Sequence, residues 1–361
     1  MGKESEYYKD KKFTQLEKLQ ELMLELPEFA KKYINDKRLE TQPSTLIQYC
    51  YDILTFYRYL INSNPLYKNY HTKDFTYEDM KNVSADDVSE YQRYLEFNTK
   101  GETHQNGKKA IARKMSPLRS MFQYHYEREN IPNNPMTLVK LPKITKDKDI
   151  IRLNATEIVN ILECIDNVGG VTSDHMDNYR KKTKKRDLAI MTLMLGTGIR
   201  VSECVGLDLK DVNFIENSLI IVRKGGGQDQ IYFGPEIREA LEDYIETERA
   251  AVKPKPGHEE ALFYSMQSKR ISVDAIENLV KKFARIAVPD KHVTPHKLRS
   301  TYGTALYRQT GDIRLVADVL GHENVNTTVN YYAAMEDEHK RAAAGKVVMR
   351  KQSTDQDKKE N

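Results

Sequence analysis

Hydrophobic positions recur at helical spacing through most of the chain, separated by short polar breaks. Over 13–37, Leu16, Leu19, Leu22, Met23 and Leu26 share a face and predict a helix that Pro27 kinks or splits. A second helix is predicted after Pro43-Ser44, with Ser44 as N-cap and Leu46, Tyr49, Ile53, Phe56, Tyr57 and Leu60 on its buried face. Residues 62–73 read as a polar loop. A third helix starts near 84–86 and carries Val88, Tyr91, Tyr94 and Leu95; after a Gly- and Asn-containing loop at 98–106, a fourth covers 108–129. Its stripe is Ile111, Met115, Leu118, Met121, Phe122 and Tyr126, and Pro117 inside it predicts a kink. Asn133-Asn134-Pro135 stops this all-helical unit, and L-P-K-I-T-K-D-K-D at 141–149 has the Pro content, shortness and charge of a linker.

Beyond the linker the pattern becomes mixed. Asn154-Ala155-Thr156-Glu157 caps a helix carrying Ile158 and Ile161, and 169–177 is a loop. D-L-A-I-M-T-L-M-L at 187–195 is an apolar helix ended by Gly196 and Gly198, with a restart near Ser202, so Arg200 falls at a tight turn between helices. S-L-I-I-V at 218–222 reads as a strand, R-K-G-G-G-Q-D as a turn and 230–233 as the return strand; the segment 207–214 completes a small sheet. Helices are predicted at 235–248 and 272–286, from Pro295, at 313–320 with Gly321 as cap, and from Asn326 through the tyrosines. From about 336 the chain reads first as helix and then as a polar, disordered tail. The predicted fold class is mainly α with a small antiparallel β-sheet, in two domains.

Composition narrows the classes. A 361-residue chain has length for two domains and a sizeable core. Hydrophobic residues make up 39% and charged residues 30%, which suits a polar, helix-rich protein. Cys50, Cys164 and Cys204 are odd in number, far apart and without a C-x-x-C, as for reduced thiols in a cytosolic protein. The N-terminus is too polar for a signal peptide, Glu6 stands where a myristoylation site needs Ser or Thr, and the apolar run near 188–195 is too short to span a bilayer. These readings predict a cytoplasmic protein with no membrane partner.

A net charge of +4 is by itself weak support for nucleic acid, so clustering of the 57 Lys and Arg matters more. Lys108, Lys109, Arg113, Lys114 and Arg119 form one face of the fourth predicted helix, either a solvated surface or a helix lying along DNA phosphates. R-K-K-T-K-K-R at 180–186, with Lys181, Lys182, Lys184 and Lys185, is the densest basic run; it reads as a solvated loop or as phosphate contacts.

The candidate chemistry lies in T-P-H-K-L-R-S-T and L-G-H-E-N-V-N-T-T-V-N-Y-Y, which bring His296, Arg299, His322, Tyr331 and Tyr332, and upstream in Arg200, Arg223 and Lys224. The set has no metal-ligand cluster of carboxylates and calls for no cofactor. It suits metal-free phosphoryl transfer. A tyrosine hydroxyl attacks phosphorus and forms a phosphotyrosyl ester, keeping the bond energy so that no ATP is needed to rejoin the strand. Arg200 and Arg299 offer planar donor pairs to the charged oxygens, Lys224 can protonate the leaving alkoxide, and His296 or His322 can accept the tyrosine proton or hydrogen-bond the phosphate. His296 and Arg299 lie one helical turn apart and face one way. A kinase or nucleotidase reading of the glycines fails, because they lie inside a hairpin and lack G-K-[ST].

Singly, each of these signals has a bland structural reading. In order, T-G-x-R-x-S-E, a lysine in a Gly-containing hairpin, H-x-L-R, L-G-H and a tyrosine nine positions after that His resemble the tyrosine recombinase (phage integrase) family over about 42–335. R-K-M-S-P-L-R-S-M-F followed by I-P-N-N-P and L-P-K is similar to the end of that family's core-binding domain. The extra N-terminal helix, with R-D-L-A-I and R-K-G-G, looks most like Xer-type recombinases that act alone.

The resemblance implies Arg200 and Arg299 as phosphate-clamping arginines, Lys224 as the hairpin lysine, His296 in the second box, His322 at the His-or-Trp position and Glu203 as support for the first arginine box. Tyr331 is the implied nucleophile, with spacing favouring it over Tyr332. The resemblance also implies a two-domain C-shaped DNA clamp: an N-terminal helical extension (1–40), a helical core-binding domain (41–140), a linker (141–152), a catalytic domain (153–335) and a C-terminal segment (336–361). The partners it implies are double-stranded DNA bearing an inverted-repeat site and a homotetramer on two such sites, with 333–349 docking on a neighbouring protomer. Chromosome-dimer resolution and mobile-element integration are both open. A DNA-binding protein on this fold that no longer cuts, and a relaxing topoisomerase of the same chemistry, are the rival readings.

Overall fold

The computed structural model describes residues 6–97, 106–143, 152–167, 182–223 and 225–322. The chain divides into two compact units, Glu4–Asp147 and Lys148–Asn361.

Among its described residues the first unit is all-helical. Pro27 splits the first predicted helix into α1 (Glu6–Glu25) and α2 (Glu28–Lys37). α3 spans Pro43–Ser63; Pro43 opens it and Gln42 is the N-cap, so Ser44 lies inside the helix rather than capping it. Proline suits this first position because its missing N–H has no helical acceptor and its φ is already helical. The expected loop at 62–73 holds the end of α3 and two short 3₁₀ turns. α4 (Tyr77–Asn82) was not predicted, being too short to show a stripe. Its signature is the cap: Thr76 N–H donates to Asp79 at 2.8 Å, and Asp79 N–H donates to Thr76 Oγ1 at 3.3 Å. Ser84 and Asp87 cap α5 (Ala85–Phe97) in the same way. α6 (Lys108–Glu127) continues across Pro117, which is buried.

The apolar faces of these helices meet in an aromatic-rich core. Phe56 lies 5.2 Å from Tyr57 and 5.0 Å from Tyr91, both in edge-to-face geometry, which adds to the burial of the rings. His125 is fully buried there. Asn130 Nδ2 faces its Nδ1 at 3.3 Å and the Phe29 carbonyl faces its Nε2 at 3.1 Å, a pairing that suits the Nε2–H tautomer. Burial pushes this ring down to about 4 from 6.5.

The unfolded chain therefore binds a proton near 6.5 that the folded chain refuses. Stability present at neutral pH is lost as pH falls from about 6.5 toward about 4, on the order of 3 kcal/mol in all. His125→Asn should flatten that part of the profile. Thermal unfolding of both proteins from pH 7.5 to 4.5 checks this, and parallel slopes would refute it.

The predicted basic face of α6 is partly tied down. Arg113 and Lys114 lie 3.3 and 4.0 Å from the buried carboxylate of Asp52, and Arg119 donates to the Met136 and Val139 carbonyls at 3.2 and 2.9 Å. Lys108 and Lys109 are exposed at the start of the helix.

The second unit is mostly helical with one small sheet. Asn154 and Glu157 cap α7 (Ala155–Asn167) reciprocally at 2.8 and 2.9 Å, as the sequence predicts. α8 (Lys184–Thr197) starts with charged residues and then buries the apolar run 189–195 on all sides, the mark of a central helix; it packs against α7 and the three long helices that follow the sheet. After it come α9 (Val201–Val205), β1 (Val212–Asn213), β2 (Ser218–Val222) and β3 (Gln228–Tyr232). The sheet is antiparallel in the order β1-β2-β3, with Val212 opposite Leu219 and Ile221 opposite Asp229. α10 (Pro235–Tyr244), α11 (Val273–Ala287), α12 (Pro295–Thr310) and α13 (Ile313–Val319) complete the described part. No helix among the described residues is long and apolar enough to cross a membrane.

Candidate active site

The site is built on the end of α13. Gly321, at φ +57°, closes this helix in a left-handed turn. Its N–H donates to Asp318 O at 2.7 Å, and His322 N–H donates to Ala317 O at 2.9 Å. These two bonds make a Schellman motif, which explains the Gly of L-G-H and places His322 just past the helix end. A Cβ on Gly321 would lie 2.6 Å from the Arg223 guanidinium, so close approach as well as backbone conformation requires glycine.

The motif leaves the last carbonyls of the helix to be satisfied by other groups. Three successive ones each accept from a different arginine. Val319 O takes Arg223 Nη2 at 2.9 Å, Leu320 O takes Arg299 Nη2, and Gly321 O takes Arg200 Nη2 at 3.1 Å. The partial negative charge at a helix C-terminus favours cations there.

Each arginine is also fixed from behind. Arg200 is the N-cap of α9. Its N–H donates to Glu203 at 2.7 Å and its Nη1 to the same carboxylate at 2.8 Å. Glu203 is buried, and the Arg200 side chain is 32% exposed. Arg299, buried on α12, donates Nη1 to Gly198 O at 2.7 Å. Gly198 has φ +64°, and a Cβ there would lie 2.5 Å from the Tyr302 ring, so the T-G-x-R box also needs its glycine. Thus Arg200, Arg299, Glu203 and His322 are brought to one turn of chain, with His296 one helical turn before Arg299.

Both histidines are set toward the neutral form. His322 is pushed down to about 4 by partial burial and then by Arg299, Arg200, His296 and Arg223. His296 keeps an exposed edge, yet desolvation and then Arg299 and Arg200 hold it below its ordinary value. At neutral pH each ring can accept a proton or a hydrogen bond.

Other sequence candidates fall elsewhere or outside. Lys224, Tyr331, Tyr332 and Lys181 lie outside the described residues. Lys108, Lys109, Arg113, Lys114 and Arg119 belong to the first unit. Within the basic run, Lys182 is exposed, Lys184 pairs with Asp166 at 3.1 Å and Lys185 with Asp243 at 2.6 Å. Arg186 is buried, with Asp187 at 2.6 Å and the Tyr264 carbonyl at 3.0 Å. Glu248 accepts the N–H groups of Lys185 and Arg186, so much of this run serves the start of α8. Sequence reasoning gave Arg223 no role. Its only signal is its place next to the hairpin lysine.

A helical unit with a three-stranded sheet thus brings Arg200, Arg223 and Arg299 onto successive carbonyls of one helix end, next to His322. The Phage integrase family profile matches residues 152–339. Tyrosine recombinase XerC of Caldanaerobacter subterraneus subsp. tengcongensis is 33% identical over 312 residues, covering 84% of this chain and 81% of that protein. Tyrosine recombinase XerS of Streptococcus mutans is 31% identical over 356 residues, covering 91% and 97%. The chain belongs to the phage integrase family, the tyrosine recombinases. In fold it is similar to the XerH site-specific recombinase, seen in a pre-cleavage complex with its difH substrate. The TM-score is 0.59 at 20% identity, over 87% of this chain and 83% of that one.

Proposed function

We propose that the protein is a site-specific DNA recombinase that cuts and rejoins duplex DNA through a 3′-phosphotyrosyl intermediate, with no metal or ATP in the chemistry. The observation that carries this reading is the convergence of Arg200 and Arg299 on successive carbonyls beside His322. In this reading the two positively charged forks stabilise the charge that develops on the phosphorus oxygens, a task a metal ion performs elsewhere. Tyr331 Oη attacks phosphorus and its proton passes to a neutral imidazole, His296 or His322. The P–O5′ bond breaks and the 5′ oxygen takes a proton from Lys224. The reverse steps rejoin the strand. Glu203 holds Arg200 in register.

In this reading residues 41–140 form a core-binding domain and 153–335 the catalytic domain, and both engage duplex DNA. Lys108, Lys109, Arg113, Lys114, Lys182, Lys184 and Lys185 contribute charge along the backbone, while Arg119 acts mainly through its carbonyl bonds. Four protomers act on two inverted-repeat sites in the cytoplasm, in chromosome-dimer resolution or mobile-element exchange.

The test is covalent trapping. DNA selected by the full-length protein from source-genome fragments is nicked to make a suicide substrate and incubated in chelator. A denaturant-resistant protein–DNA band is the expected result. Tight binding with no band would replace this reading with a DNA-binding protein that does not cut.

A further inference from the structure

We propose that Arg223 is a positioning residue that clamps the root of the β2–β3 hairpin to the active-site turn and acts on the reaction through its neighbour in the chain, Lys224. The proposal rests on the reading of Lys224 as the proton donor to the leaving oxygen.

The hairpin gives its tip little support from the far side. Gly225, Gly226 and Gly227 follow Lys224, with φ of +106° and +93° at the first two. A Cβ on any of the three would meet nothing within 4 Å. Three glycines give the tip no side-chain packing of its own. Anchorage must come from the near side, and Arg223 supplies it. Its backbone closes the turn, with N–H donating to Gly227 O at 2.7 Å and O accepting from Gly226 N–H at 3.0 Å.

Its side chain, only 12% exposed, reaches three elements. Nε and Nη2 donate to Asp229 on β3 at 2.9 and 2.7 Å. Nη2 also donates to Val319 O at the end of α13 at 2.9 Å, and Nη1 lies 3.4 Å from Glu203, the carboxylate that holds Arg200. Only a planar, multi-donor guanidinium can make this set at once; an ammonium cannot. The residue before the hairpin lysine is therefore fixed to the carboxylate behind Arg200 and to the turn that Arg200 and Arg299 grip.

The chemistry offers a readout specific to this role. When P–O5′ breaks, the leaving alkoxide must receive a proton from the ammonium of Lys224. If the bridging 5′ oxygen is replaced by sulfur, P–S5′ breaks to a stable thiolate and no proton is needed. A variant that misplaces only the proton donor is thus rescued by sulfur, whereas one that damages the fold or the arginine forks is not.

Wild type, Arg223→Ala, Asp229→Ala and Lys224→Ala are compared for single-turnover adduct formation. The probe is the protein-selected nicked duplex with oxygen or sulfur at the scissile 5′ position. With oxygen, Arg223→Ala should lose roughly 10²-fold, as for a displaced general acid, and Asp229→Ala less. With sulfur both should return close to wild type, as should Lys224→Ala. Equal losses on the two substrates for Arg223→Ala, beside a rescued Lys224→Ala, would overturn the positioning role alone. A Lys224→Ala that sulfur does not rescue would overturn the acid role of Lys224 and this proposal with it. Should Arg223→Ala fail to fold, Asp229→Ala decides by the same criterion, because Asp229 is 43% exposed and its loss leaves the Val319 and Glu203 contacts in place.

Discussion

Tyr331→Phe should abolish the covalent protein–DNA adduct while leaving duplex binding close to wild type. The substitution removes one oxygen and keeps the ring and its neutral charge. In the proposed mechanism that oxygen becomes bonded to phosphorus, and the covalent route has no substitute for it. Loss of a nucleophile from a covalent mechanism costs at least about 10⁴-fold. Tyr332→Phe should form adduct normally: the helix that the sequence predicts from Asn326 would set neighbouring residues about 100° apart, so only one of the pair could face the phosphate. The suicide-substrate assay, run with all three proteins side by side, checks both. An adduct with Tyr331→Phe that disappears with Tyr332→Phe would exchange their roles.

Arg299→Lys should reduce adduct formation by about 10²- to 10³-fold, the scale for removing a preorganised donor to a developing oxyanion. It keeps the charge and loses the fork. Arg299 is almost wholly buried, and its two ends bridge Gly198 O and Leu320 O, joining the first arginine box to the L-G-H turn. A single ammonium cannot reach both, so one buried carbonyl is left without its donor, at about 1–3 kcal/mol of stability. Arg200→Lys should cost a similar factor in rate and less in stability, because Arg200 is partly exposed. Single-turnover cleavage at saturating protein, with thermal unfolding of the same samples, separates the two effects. Near-wild-type cleavage by Arg299→Lys would remove that fork from the chemistry.

The sequence carried the site further than it carried the surface around it. L-G-H and T-G-x-R were legible because each contains a glycine that the backbone needs, at Gly321 and Gly198, and local patterning records such needs. What Arg223 does was not legible: its partners Asp229, Glu203 and Val319 come from three elements, and Arg beside Lys at a hairpin reads as generic charge. The partners of the basic run were not legible for a related reason. Charge in a sequence carries no direction, and folding turns Arg186 inward onto Asp187 while Lys184 and Lys185 meet Asp166 and Asp243. Long helices were found from their stripes, whereas α4 escaped and Ser44 was assigned a cap that Pro43 makes unnecessary. These are choices at helix ends, where one or two residues decide.

The three arginines on one helix end have a consequence for the safety of the DNA. Val319, Leu320 and Gly321 tie the hairpin, α12 and the start of α9 to a single backbone turn. A shift of that turn as a body would bear on all three grips together. A half-built site, able to break a strand yet unable to hold the broken end for rejoining, is thereby disfavoured. An enzyme that breaks and rejoins DNA gains from grips linked in this way.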